Sequence, residues 1–231
     1  MRQRVDALGG PLLLGSVGVV MAVVLALIWL NRPGGSAGRG AFELVERSPA
    51  AGRAWGSPSA PVRIVAFEDF QCPFCARYTT DIEPLLAREF IATGEVLYEF
   101  HHLAFLGEDS IRAAQAAECA VEQDQFWPFH DVLFLRQGRE NSGVFSIERL
   151  QDYARELDRA LPPDAWDQGA FESCLGSGRT RAAVEQMTLQ ANAAGASSTP
   201  TLLVNGRLLA GVSSIDQLRR AIAEASAAVR P

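Results

Sequence analysis

The chain has 231 residues, of which 48% are hydrophobic, and it carries a formal net charge of −6 at neutral pH. This length and apolar content suffice for one domain with a sizeable core plus an additional segment. The mild acidity, without a basic run or a cluster of stacking aromatic residues, argues against a nucleic-acid-binding protein, because such proteins need positive charge to bind phosphate.

The first element in chain order is an apolar segment, Pro11–Leu30, and no charged residue lies between Asp6 and Arg32. At about 1.5 Å rise per residue, a helix of this length spans the roughly 30 Å hydrocarbon core of a bilayer. We therefore predict an uncleaved transmembrane anchor at 11–30, after a short cytoplasmic N-terminus at 1–10. A cleaved secretory signal peptide is the alternative, although its apolar region is usually about 7–15 residues long.

Residues 31–52 follow the anchor and begin with a Gly-rich stretch, Asn31–Gly40, which predicts a flexible linker. The remaining chain, 53–231, is the predicted domain. The chain has four cysteines, and cysteines that form lasting disulfides belong outside the cytoplasm. We therefore expect this domain to be extracytoplasmic.

The domain begins with a predicted buried strand, Val62–Phe67, which is short, apolar and rich in β-branched residues. Cys72-Pro73-Phe74-Cys75 follows it and opens an amphipathic stretch that reaches Phe90. Unpaired N–H groups at a helix start favour a thiolate on the first cysteine of such a pair. The pattern predicts a redox dithiol with Cys72 as nucleophile and Cys75 as its partner. Zinc binding is a weaker alternative, because a structural zinc needs about four Cys or His ligands and the sequence offers no second pair.

A second strand is predicted at Glu95–His101, where apolar and polar residues alternate. From about 108 to 194 the pattern changes to helix-like segments separated by turns. These segments are Ser110–Glu122, Trp127–Arg136, Ile147–Leu157, Ala165–Leu175 and Thr180–Ala194. The last predicted elements are a strand at Thr201–Val204, a hairpin turn at Asn205-Gly206, a strand at Arg207–Val212 and a helix from about Ser214.

A strand followed by Cys-Pro-aromatic-Cys and a helix resembles the thioredoxin superfamily, and the flanking residues resemble its DsbA-like branch, which includes BdbD-type oxidases. The matching segments are Trp55–Val62, Phe67–Cys75, Cys119 within Ala116–Ala120, Phe126–Asp131, Ser198–Thr201 and Asn205-Gly206. The resemblance covers roughly Arg53 to Ala228. It implies an α/β thioredoxin fold with an inserted helical domain at about 108–194.

The resemblance also implies which residues support the dithiol. Pro200 matches the cis-proline of the superfamily, which faces the dithiol, and Thr199 matches the residue before it. In isolation, a Thr-Pro pair before a strand is most often trans. Pro73 and Phe74, between the cysteines, are implied to support the active site.

Two further cysteines, Cys119 and Cys174, remain once Cys72 and Cys75 are paired. We expect a structural disulfide between them, because the inferred compartment is oxidising. The alternative is that both are small buried hydrophobic residues.

The sequence departs from its relatives at two positions. Many thioredoxin-like proteins carry a buried acid six residues before the first cysteine, where this chain has Ala66. Glu68 and Asp69 are candidate substitutes at a different spacing. Phe74 replaces the histidine of the best-known DsbA dipeptide, which removes a hydrogen-bond donor or positive charge from the surroundings of the thiolate.

The resemblance implies a membrane-anchored, extracytoplasmic thiol–disulfide oxidoreductase, which we expect to be a monomeric oxidase that donates its disulfide to exported cysteine-containing proteins. It implies a quinone-linked membrane oxidase as re-oxidising partner, and neither a metal nor an organic cofactor. Two alternatives remain: a disulfide reductase or isomerase on the same fold, and a non-enzymatic copper- or thiol-binding module with Cys72 and Cys75 as soft ligands.

Overall fold

The structure is a computed structural model in which residues 45–229 are described. The predicted N-terminus at 1–10, the predicted anchor at 11–30 and most of the predicted linker lie outside the described residues. Within 45–229, no helix combines the length and the apolar character that a membrane span requires.

The described residues contain a six-stranded mixed sheet. Its strands are β1 (Ala50–Ala51), β2 (Ala54–Trp55), β3 (Val62–Glu68), β4 (Val96–His102), β5 (Thr201–Val204) and β6 (Arg207–Ala210). Their order across the sheet is β1-β2-β4-β3-β5-β6, with β3 parallel to β4 and the other neighbours antiparallel. Nearly all of β3 is buried, which explains its continuous apolar sequence. Its buried end leads directly to the dithiol.

The helices lie between β3 and β4, between β4 and β5, and after β6 in the chain. They are α1 (Pro73–Arg77), α2 (Glu83–Leu86), α3 (Glu108–Val121), α4 (Phe126–Leu135), α5 (Ile147–Asp158), α6 (Gln168–Ser177), α7 (Arg181–Ala193) and α8 (Ile215–Val229). Two π-helical segments, Tyr78–Ile82 and Ala87–Ile91, follow α1 and α2, so the chain stays helical from the dithiol to Ile91.

The first π-helical segment ends at Ile82, two residues before Pro84. Proline has no N–H group and cannot complete an α-helical hydrogen-bond ladder. Here the N–H group of Glu83 donates to the carbonyl of Tyr78, which is the wider spacing of a π turn. Tyr78 and Glu83 are both buried at the two ends of this turn.

Helices α3 to α7 lie between β4 and β5 in the chain and form the helical insertion. Each predicted helix-like segment overlaps one of them over most of its length. The predicted fold class, an α/β thioredoxin fold with an inserted helical domain, is therefore confirmed. The sequence did not predict β1 and β2, because two-residue strands carry no periodic pattern.

The insertion contains a disulfide between Cys119 in α3 and Cys174 in α6. The two Cα atoms are 5.8 Å apart, and each cysteine is 1% exposed. The bridge therefore joins two helices inside the core of the insertion.

The folded part begins earlier than the sequence suggests. The predicted linker extends to residue 52, yet β1 lies within it and pairs with β2, which in turn pairs with β4. Arg47 also lies in this stretch, and its side chain is 5% exposed. Long-range contacts, rather than local composition, hold these residues on the domain.

Candidate active site

The dithiol lies at the N-terminus of α1. Cys72 is the N-cap residue, Pro73 occupies the first turn, where its missing N–H group costs no hydrogen bond, and Cys75 follows within the helix. Both thiols are reduced. Cys72 is 4% exposed and Cys75 is fully buried, so Cys72 is the sulfur closer to solvent.

The groups around the two sulfurs shift the pKa values of the two thiols in opposite directions. A hydrogen bond from the Cys75 thiol, with others from the Thr199 side chain and the N–H groups of Cys75 and Phe74, lowers the pKa of Cys72 to about 6 against the effect of burial. Burial, the hydrogen bond to Cys72 and the nearby charge of Glu68 raise the pKa of Cys75 well above its usual range. At neutral pH the pair therefore has a thiolate on Cys72 and a protonated thiol on Cys75.

Thr199 and Pro200 lie against the first cysteine. The peptide bond between them is cis, and the Sγ atom of Cys72 is 3.4 Å from the Thr199 carbonyl oxygen. Phe74 is 61% exposed beside the dithiol, and the guanidinium of Arg77 lies 5.0 Å from its ring centroid. The structure thus brings together all four residues that the resemblance assigns to active-site support with the two cysteines.

Glu68 is the last residue of β3 and is fully buried. Its Oε1 atom accepts a hydrogen bond of 2.9 Å from the Tyr98 hydroxyl, and its Oε2 atom is buried without a hydrogen-bond partner among the described residues. Burial, then the charge of Glu83, raises the pKa of Glu68 well above its usual range, although hydrogen bonds from Tyr98 and Cys75 act in the opposite direction. A buried carboxyl group, two positions after Ala66, and the Cys75 thiol therefore shift each other's pKa.

Comparison with known proteins agrees with this geometry. A family model described as thioredoxin matches residues 49–224. A probable disulfide bond formation protein D of Bacillus anthracis is 31% identical over 72% of this chain and 75% of its own length. Disulfide bond formation protein D of Bacillus subtilis is 29% identical over 72% and 73%, respectively. The chain belongs to the DsbA-like branch of the thioredoxin family.

Solved structures support the same assignment of this DsbA-like protein. The crystal structure of oxidised BdbD from Bacillus subtilis has a TM-score of 0.68 and 26% identity, and the match covers 76% of this chain and 92% of the other. The crystal structure of Chlamydia trachomatis DsbA, at 21% identity and a TM-score of 0.66, shows the shared fold. Because its relatives are disulfide bond formation proteins, the DsbA-like protein is a thiol–disulfide oxidoreductase.

Asp69, the second candidate acid, has a different place in the DsbA-like protein. Its Oδ1 atom accepts hydrogen bonds from the N–H group of Gln71 at 2.8 Å and the hydroxyl of Ser110 at 2.6 Å. Its Oδ2 atom accepts from the N–H groups of Phe105 and Leu106. The bonds from Phe105 and Leu106 fasten the loop before Cys72 to the β4–α3 loop, and the bond from Ser110 fastens it to α3. Asp69 therefore shapes the active-site loop, while Glu68 is the acid whose charge raises the pKa of Cys75.

Gln137, which follows α4 in the helical insertion, is a residue of the site that no sequence motif predicts. Its Nε2 atom donates to the carbonyl oxygens of Phe70 at 2.7 Å and Cys72 at 3.0 Å. It therefore ties the insertion to the backbone of the first cysteine. No local signal marks this residue, because its partners lie more than 60 positions earlier in the chain.

Among the described residues, no group of three or more His, Cys, Asp or Glu side chains is arranged to hold a metal ion.

Proposed function

We propose that this protein is an extracytoplasmic disulfide oxidase, which transfers the Cys72–Cys75 disulfide to exported proteins that contain free cysteines. The observation that carries the proposal is the unequal pair of thiols, with a stabilised thiolate on Cys72 and a buried, protonated Cys75. The names of its relatives, disulfide bond formation proteins, support the same direction of electron flow.

The thiolate favours oxidase activity because it stabilises the reduced form. Lowering the pKa of Cys72 from an ordinary value of about 8.5 to about 6 stabilises the reduced protein about tenfold at pH 7. For a two-electron couple, this tenfold change raises the reduction potential by about 30 mV. A higher potential means that the protein gives up its disulfide more readily.

Transfer proceeds by two thiol–disulfide exchanges. A substrate thiolate attacks the sulfur of Cys72, a new substrate–Cys72 bond forms, and the Cys72–Cys75 bond breaks with Cys75 leaving as a thiolate. A second substrate thiolate then attacks the substrate sulfur of this mixed disulfide and expels Cys72 as a thiolate. The substrate loses two electrons to form its disulfide, and the protein gains them as two reduced cysteines.

Glu68 supplies the proton that the first exchange requires. The leaving Cys75 thiolate is buried, and an uncompensated buried charge is unfavourable. Burial raises the pKa of Glu68, which favours the protonated carboxyl group, and this group gives its proton to the Cys75 sulfur. When the protein is re-oxidised, Cys75 returns the proton to Glu68 and attacks the mixed disulfide between Cys72 and the oxidant.

Turnover requires an oxidant that accepts the two electrons, and we propose a quinone-linked membrane oxidase in this role. A membrane anchor at 11–30 would keep the domain close to such a partner and to newly exported chains. The apolar length of Pro11–Leu30 supports this placement.

The test is the reduction potential of the full-length protein in detergent, measured in glutathione buffers with alkylation of free thiols as readout. We expect a value above the approximate −270 mV of thioredoxin. Cys75→Ala serves as control, because it cannot form the intramolecular disulfide and should show no such equilibrium. A potential at or below that of thioredoxin would make a reductase the better interpretation.

A further inference from the structure

Arg47, which precedes β1, occupies a buried site that joins three parts of the fold. Its guanidinium donates to the two carboxylate oxygens of Asp131 in α4 at 2.6 and 2.8 Å, and to Glu83 in α2 at 2.9 Å. It also lies 5.0 Å from the ring centroid of Trp55 and 5.1 Å from that of Trp127. Two carboxylates and two indole rings therefore hold this one cation away from solvent.

This site continues towards the dithiol through Glu83. One carboxylate oxygen of Glu83 contacts Arg47, while its Oε2 atom is buried without a hydrogen-bond partner among the described residues. After burial, the charge of Glu83 is the next cause that raises the pKa of Glu68. Tyr98, which donates to Glu68, packs against Trp127 with ring centroids 6.0 Å apart. Arg47 and Glu68 therefore belong to one buried polar cluster.

Glu68 is surrounded by groups from each element that packs on it, and Arg47 is the cation that contacts one of these groups, Glu83. The titratable groups that face Glu68 are Cys72 and Cys75 from the start of α1, Tyr78 from the first π-helical segment, Glu83 from α2 and Tyr98 from β4. Arg47 contacts Glu83, which is the carboxylate of this set whose negative charge opposes a second negative charge on Glu68.

We propose that Arg47 is a positioning residue of the redox site, which neutralises Glu83 and so allows Glu68 to accept the proton of Cys75. This inference rests on the proposed function, since it concerns the step in which Cys75 loses its proton. Without the charge of Arg47, the Glu83 carboxylate opposes a second carboxylate at Glu68 more strongly. A larger fraction of Glu68 is then protonated from solvent at pH 7, and a carboxyl group that already carries a proton cannot accept that of Cys75.

The reaction of the reduced protein with 5,5′-dithiobis(2-nitrobenzoate) separates the two cysteines. The Cys72 thiolate attacks the reagent, forms a mixed disulfide and releases one thionitrobenzoate. Cys75 then passes its proton to Glu68 and attacks the sulfur of Cys72, which forms the Cys72–Cys75 disulfide and releases a second thionitrobenzoate. The reagent takes up both electrons. The first phase reports the Cys72 thiolate, and the second phase reports proton loss from Cys75.

We expect Arg47→Met, in the full-length protein in detergent, to slow the second phase at least about threefold at pH 7 and to move its midpoint to higher pH. The first phase should change less than about twofold, because Arg47 does not contact Cys72. Glu83→Gln should have the opposite effect, since it removes the competing charge and moves the second-phase midpoint to lower pH. In the double variant, Glu83→Gln should restore the second phase that Arg47→Met slowed.

Arg219→Met is the matched control. Arg219 also bridges two carboxylates, Glu89 and Asp216, but it is 45% exposed, so its loss should leave both phases unchanged. Glu68→Gln removes the proton acceptor and gives the slowest second phase. Thermal unfolding of each variant establishes that it is folded at the assay temperature.

An unchanged second phase in both Arg47→Met and Glu83→Gln would overturn the proposal, as would a slowed phase that Glu83→Gln does not restore. A purely structural role of Arg47 predicts such a failure of rescue. If Arg47→Met does not fold, the midpoint shift in Glu83→Gln decides. Release of only one thionitrobenzoate by the wild-type protein would instead contradict the proposed function, because the dithiol would then not close.

Discussion

Removal of the Cys119–Cys174 disulfide should destabilise the protein by about 4 kcal/mol without changing the chemistry of the dithiol. The bridge joins cysteines that are 55 positions apart, and the chain-entropy relation for a loop of this size gives about 4 kcal/mol at 25 °C. For a domain of this size class, each 1 kcal/mol lowers Tm by about 2–4 °C. We therefore expect the double variant Cys119→Ala/Cys174→Ala to melt about 8–16 °C below the wild-type protein.

The assay is thermal and urea unfolding of the full-length protein in detergent, with circular dichroism as readout. Mild reduction should open Cys72–Cys75 while the structural bridge remains, because structural disulfides lie at lower potential. Under these conditions Cys72→Ala/Cys75→Ala is the matched control. This variant also replaces two buried cysteines, but it removes no disulfide bond from the reduced protein. Its free energy of unfolding should therefore fall by only about 1 kcal/mol.

A loss below about 1 kcal/mol in Cys119→Ala/Cys174→Ala, or an equal loss in the two double variants, would refute the entropic argument. Equilibrium with glutathione gives the second readout. Both cysteines lie in the insertion, away from the dithiol helix in sequence, so the potential of Cys72–Cys75 should remain within about 10 mV of the wild-type value.

Three other variants or conditions test the site and the fold. Iodoacetamide should modify Cys72 with a rate that rises with pH around a midpoint of about 6, because the thiolate is the reactive form. Peptide mapping should find Cys75 protected, and preferential labelling of Cys75 would reverse the two roles. Phe74→His should raise the reduction potential of Cys72–Cys75 by tens of millivolts, since an imidazole at this exposed position adds a hydrogen-bond donor or charge beside the thiolate. Phe74→Leu is the control, and equal potentials in both variants would count against this effect. Gly56→Ala should lower the free energy of unfolding in urea by more than about 2 kcal/mol, because the new Cβ would lie 2.4 Å from the Val96 carbonyl oxygen. Gly94 also has a positive φ, but a Cβ there would meet no atom within 4 Å, so Gly94→Ala should cost about 1 kcal/mol. Equal losses in the two variants would exclude the steric cause.

Periodic and local patterns predicted most of the fold. The apolar run of β3, the alternation in β4 and the repeated helix-like segments of the insertion each depend on residues that are close in sequence. The position of Cys72 at a helix start is also local, because Pro73 favours the first turn. The strands β1 and β2 were missed because they are short and gain their stability from pairing with β4.

The choice between Glu68 and Asp69 shows where sequence patterns stop being sufficient. The two residues are adjacent, and adjacent residues in extended chain point in opposite directions. The spacing from Cys72 therefore names both as candidates but selects neither. The structure decides, because the charge of Glu68 raises the pKa of Cys75 while Asp69 binds the β4–α3 loop.

The sequence by itself determined the fold class and predicted the redox pair with the residues next to it, because each depends on a short motif or on a repeating pattern. The tertiary structure decided which groups surround that pair. Arg47 meets Glu83 across 36 positions and Asp131 across 84 positions of the chain, and Gln137 reaches Cys72 across 65. Contacts of this kind arise from how the sheet and the helical insertion pack together, and no local periodicity encodes them.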